Sequence, residues 1–85
     1  MNRITFFTKA DCTLCDAAMY VLKRVRAAMP FELEEVDITA SGNERWFEAY
    51  AHHIPVVHLN GEEIFRHHVD EGRLREFLSQ GGPHQ

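Results

Sequence analysis

No apolar run in this sequence approaches the roughly 20 residues a helix needs to cross a bilayer, so no membrane-spanning segment is expected. Positive charge is in short supply: nine Lys and Arg stand against 13 Asp and Glu, a formal net charge of −4 at pH 7. That deficit argues against a nucleic-acid partner, which calls for a basic face able to displace counterions from phosphates. The one local basic cluster, Lys23, Arg24 and Arg26, reads as the solvated end of a helix, where cations complement the dipole. Residues 1–8 hold neither a long apolar stretch nor a small-residue cleavage site, so a cytoplasmic location is expected. Cysteine is scarce as well, with Cys12 and Cys15 alone in the chain. Structural disulfides are rare in the cytosol, so a pair at this spacing needs a chemical explanation.

What is present suits one small soluble domain: 85 residues, 45% hydrophobic and 26% charged. Residues 3–7 alternate β-branched and aromatic types with others and predict a strand. Thr8-Lys9-Ala10-Asp11 is a polar break, after which Leu14, Ala18, Val21, Leu22, Val25 and Met29 recur at helical spacing. Pro30 closes that helix. Residues 31–38 predict a second strand. Ser41 and Glu44 have capping-box spacing ahead of a short helix over 43–51, with Trp46, Phe47 and Tyr50 on one side. A third strand over 54–59 carries Pro55 at its start, where proline is tolerated. Asn60-Gly61 is a two-residue hairpin signal leading to a fourth strand over 62–65. Asp70 can cap a last helix whose Leu74, Phe77 and Leu78 face inward.

The order β-α-β-α-β-β-α implies a right-handed parallel crossover followed by a hairpin. The expected fold class is therefore α/β: a mixed four-stranded sheet flanked by helices, the minimal thioredoxin architecture. Residues 1–79 form the domain in this reading, and residues 80–85, with Gly81-Gly82-Pro83, form a flexible tail.

Cys12-Thr13-Leu14-Cys15 falls where the first strand gives way to the first helix. There, unpaired N–H groups and the positive end of the macrodipole favour an anion. The nucleophile of disulfide exchange is the thiolate, so this position suits Cys12 as the attacking sulfur. Cys15, nearly one turn on, is placed to resolve a mixed disulfide. Lys9 on one side and Asp11 and Asp16 on the other pull the thiol in opposite directions. The bland alternative is two buried cysteines acting as small hydrophobes. Ile54-Pro55 has two readings as well: a cis bond beside the cysteines, or a trans proline blunting a strand end.

Taken together, Thr8-Lys9, the Cys12/Cys15 pair, Val36-Asp37-Ile38, Ile54-Pro55-Val56 and the Asn60-Gly61 turn resemble glutaredoxins. They are especially similar to the short bacterial glutaredoxin-like domains with a C-x-L-C motif. The resemblance implies a thioredoxin fold, Cys12 as nucleophile, Cys15 as resolving thiol and Pro55 as a cis-proline. It implies a substrate or glutathione site drawing on Lys9, Thr13, Leu14, Ile54, Pro55 and Asp70. It also implies glutathione as a co-substrate, with no bound cofactor, and a monomer whose partner is glutathione or a disulfide-containing protein. Two features depart from the pattern. Thr13-Leu14 replaces Pro-Tyr between the cysteines, and His67-His68 stands where a Gly-Gly pair precedes the acidic residue of the last helix.

Six histidines, four of them in the pairs His52-His53 and His67-His68, are unusually many for this length. Surface roles are the expectation, and His58 in the third strand is expected to be a packed or edge residue. His53 and His67 are the candidates should a metal bind with the cysteines. Two functions follow: a thiol–disulfide oxidoreductase, or a non-catalytic module that uses the same residues to hold a partner or a metal.

Overall fold

The computed structural model describes residues 1–83 and contains, in chain order, β1 (Arg3–Thr8), α1 (Thr13–Ala28), β2 (Glu32–Asp37), α2 (Glu44–Tyr50), β3 (Val56–Leu59), β4 (Glu62–Arg66) and α3 (Glu71–Gln80). The strands form one sheet in the order β2-β1-β3-β4. β1 pairs parallel with β2, Arg3 opposite Glu32 through Thr8 opposite Asp37. β3 lies antiparallel to β1, Ile4 opposite Leu59 through Phe7 opposite Val56, and β4 is antiparallel to β3. This is the thioredoxin fold. Among the described residues no helix is long and apolar enough to cross a membrane.

The sheet is covered unevenly. Side chains alternate along β1, so Ile4 and Phe6 point to one face, where both are buried beneath α1 and α3. The stripe of α1 that packs there is Cys15, Ala18, Leu22 and Val25, joined by Leu74 and Leu78 of α3. Arg3, Thr5 and Phe7 point to the other face, where α2 reaches only the Phe7 end. The Phe7 ring meets Trp46 and Tyr50 at centroid distances of 4.7 and 5.1 Å.

Several local expectations differ from the structure. Leu14 sits at the edge of the apolar stripe of α1 and is 41% exposed; Cys15 takes the inward position instead. The Ser41–Glu44 capping box does not form. Asn43 is the N-cap through its carbonyl, which accepts the N–H groups of Trp46 and Phe47 at 2.9 and 3.0 Å, while its amide donates to the Asp37 carbonyl at 2.8 Å and the Glu44 carboxylate accepts from the Gly42 N–H. With α2 so oriented, Trp46 and Tyr50 face the sheet and Phe47 turns outward, 48% exposed. Ile54 and Pro55 precede β3 rather than opening it, and β4 runs one residue further than expected, to Arg66.

At the C-terminal end, α3 includes Gln80, Gly81 caps it at φ +77°, and Gly82 is buried. The Asn60 amide donates to the Gly81 carbonyl at 2.9 Å and the Asn2 amide to that of Leu78. The helix thus runs one residue past the expected domain limit at 79, and residues 84 and 85 of the expected tail lie outside the described residues.

Candidate functional site

Cys12 is the N-cap of α1, with extended backbone (φ −119°, ψ 104°). The preceding Asp11, at φ +57°, turns the chain out of β1 into that position. The Cys12 sulfur accepts the N–H of Cys15 at 3.2 Å and its carbonyl accepts that of Asp16 at 3.0 Å. An N-cap side chain normally offers oxygen to these orphan donors; here sulfur takes the role. The same donors and the helix dipole would stabilise a thiolate. Cys12 and Cys15 are joined by a disulfide, their Cα atoms 5.2 Å apart. Access divides the pair: Cys15 is only 2% exposed, whereas Cys12 is half-buried at the rim. A sulfur arriving from solvent meets Cys12 first.

The other residues named from sequence distribute around this pair. Lys9, Thr13 and Leu14 are exposed on the approach to α1 and its first turn. Ile54 is buried in the same apolar cluster as Cys15, against which Cys12 packs. The Ile54–Pro55 peptide bond is cis, and the Pro55 carbonyl accepts the N–H of His67 at 2.7 Å. Asp70 caps α3, its carboxylate accepting the N–H of Arg73 at 2.9 Å. That structural role occupies one of its oxygens.

His67 itself adopts φ +69°, a conformation glycine takes freely and other residues rarely. Its ring lies 6.0 Å from that of His53, centroid to centroid. Among the described residues no three His, Cys, Asp or Glu side chains gather as a metal-ligand set.

One feature lies outside the sequence reading, and a second bears out the expected packing of His58 while adding its partners. A groove of about 100 Å³ runs beside the first turns of α1, between Leu14, Ala17, Ala18 and Val21 on one side and the segment 67–69 on the other. On the opposite sheet face, His58 is half-buried among Phe7, Trp46 and Tyr50, with its Nε2 2.9 Å from the Tyr50 hydroxyl. Burial holds the His58 pKa below the ordinary value, against the pull of Glu63. Burial also raises Tyr50. The signal for this cluster was the strand alternation that sets His58 on the side of Phe7; reading it required the β1–β3 register.

Comparison with known proteins agrees with this geometry. A family model described as Glutaredoxin-like domain (DUF836) matches residues 3–79. A Dictyostelium discoideum protein described as a glutaredoxin-like protein YDR286C homolog is 33% identical over 75 residues, covering 84% of this chain and 69% of its own. Among solved structures, protein XcR50 of X. campestris superposes with a TM-score of 0.73 at 28% identity, covering 91% of this chain and 96% of its own. Ne2328 of Nitrosomonas europaea reaches 0.77 at 23% identity, with 91% of each chain covered, and speaks for the fold alone. A disulfide at C-x-x-C spacing in such a domain supports a redox role. With a match that spans nearly its whole length, the chain belongs to the glutaredoxin-like domain family.

Proposed function

We propose that this protein is a thiol–disulfide oxidoreductase in which Cys12 attacks and Cys15 resolves. In the reduced form the Cys12 thiolate attacks one sulfur of a substrate disulfide. A Cys12–substrate disulfide forms, and the other substrate sulfur leaves as a thiolate that takes up a proton. Cys15, deprotonated, then attacks the Cys12 sulfur and expels the second substrate thiolate. Two electrons have passed to the substrate, and the Cys12–Cys15 disulfide remains. A thiol reductant, glutathione or a protein dithiol, returns the pair to its starting state. The reading rests on one observation: the more accessible sulfur caps a 16-residue helix and is bonded to a buried one three residues on.

The test is reduction of a protein disulfide by the chain and two variants. Cys12→Ser abolishes exchange, while Cys15→Ser still makes the first attack and accumulates mixed disulfides. Full activity in Cys12→Ser would overturn the assignment.

The second reading, a module that holds a metal without turnover, has one observation in its favour, the 6.0 Å approach of the His53 and His67 rings. Stoichiometric zinc or iron in untagged protein, with poor reductase turnover, would select it.

A further inference from the structure

A groove opens beside Leu14, two residues along from Cys12 in the first turn of α1. Leu14 lies between the two cysteines in sequence and is 41% exposed, a large apolar side chain in the helical turn that Cys12 caps. Ala17, Ala18 and Val21 continue the apolar wall along α1, and Val69 faces it. At about 100 Å³ the groove is small beside the several hundred Å³ typical of a small-molecule site and is on the scale of one branched side chain. His67 and His68 close its far side. The N–H of His67 is tied to the Pro55 carbonyl at 2.7 Å, so this wall is held in place.

Charge points the same way. From residue 4 to residue 22 the sole Lys or Arg is Lys9, and residues 67–72 contain none; of the two that flank that segment, Arg66 is paired with Glu63 and Arg73 lies over the Phe77 ring. Asp11, Asp16 and Asp70 are all exposed around the same end of the molecule. A short peptide thiol carrying two carboxylates would meet more negative charge than positive there. A neutral chain segment would meet apolar surface.

We propose that this groove seats one aliphatic side chain adjacent to the attacked cysteine of a protein substrate, and so selects aliphatic-flanked protein disulfides over anionic low-molecular-weight ones. The inference rests on the exchange reaction proposed above. Glutathione, in this scheme, is at best a poor oxidised substrate, and a protein dithiol is the better reductant.

The experiment uses the reduced full chain and three probes with the same thionitrobenzoate leaving group: a short cysteine peptide with Leu beside the cysteine, the same peptide with Asp there, and glutathione. The expected kcat/KM for the Leu peptide exceeds that of each of the others by about tenfold or more, the scale on which apolar pockets discriminate. Leu14→Asn should collapse the Leu-to-Asp ratio toward one. His67→Gly combined with His68→Gly should raise the glutathione rate relative to the Leu peptide. Because each readout is a ratio within one variant, a general change in Cys12 reactivity cancels. Ratios within twofold for the wild type, or a Leu14→Asn variant that slows every probe equally, would overturn the groove proposal and leave the exchange chemistry standing. No reaction with any probe, or reaction undiminished in Cys12→Ser, would remove the chemistry itself.

Discussion

His67 holds its backbone at φ +69°, and for a residue with a Cβ that conformation costs roughly 1–2 kcal/mol. Replacement by glycine should therefore stabilise the fold by about 1 kcal/mol, read as a shift in the urea midpoint. No gain would mean that contacts of the ring, such as that with His53, offset the strain. Asn60 lies at φ +52° and Gly61 at +89°, the positive pair that a tight hairpin between twisted strands demands. Asn60 does more than turn the chain: its Oδ1 accepts from the Arg3 N–H at 2.9 Å, and its amide donates to Asn2 and Gly81. Asn60→Ala loses the tolerance for positive φ together with these bonds. It should cost about 2 kcal/mol, about 1 kcal/mol from strain and about 1 kcal/mol in total from three solvent-exposed hydrogen bonds, measured by the same denaturation. A cost near zero would show that water replaces the clasp.

At the scale of elements, the helix ends decide what each segment contributes. Asp70 caps α3 through the Arg73 N–H, and Asp70→Ala should destabilise the domain by about 1 kcal/mol. If α3 were held by packing alone, Leu74 and Leu78 in the core, thermal unfolding of that variant would match the wild type. Asp70, the Asn60-Gly61 turn and the strand-to-helix passage at Cys12 were readable in the sequence because each follows from neighbours a few residues apart. The Ser41–Glu44 box failed for a tertiary reason: Asn43 reaches back to the Asp37 carbonyl at the end of β2, which no local spacing encodes. Periodicity sets Leu14 on one helical face with Ala18, Val21, Leu22 and Val25. A stripe through Cys15, Ala18, Leu22 and Val25 is equally periodic, and only the packing of α1 on the sheet chooses between them. The groove between Leu14 and His67-His68 escaped the sequence because its two walls lie some 50 residues apart. The His58–Tyr50 contact joins α2 to β3 and depends in the same way on how elements meet.

Across the whole molecule, titration of buried groups sets the pH range of stability. His58 has a folded pKa below its ordinary value because burial disfavours the cation. The sign follows: its contribution is complete above the unfolded pKa of about 6.5 and is lost as pH falls through the folded value. The wild type should lose melting temperature more steeply than His58→Gln between about pH 7 and 5, since glutamine does not titrate. Parallel curves would show that His58 escapes its burial penalty by local opening. Tyr50, raised by burial, acts at the other extreme, with stability lost as pH climbs past the ordinary tyrosine range. The surface pair Arg3–Glu32 is well exposed and adds little to this profile.

The clasp at Asn60 also fixes where the first and last described segments lie. Asn2 and Gly81 both bond to its side chain, at the end of the sheet where β1 begins, whereas Cys12 follows the end where β1 finishes. Six residues of strand at about 3.3 Å each separate these poles by roughly 20 Å. A tether attached through Met1 would therefore orient every molecule on a bead or electrode with its sulfurs turned toward the bulk solution.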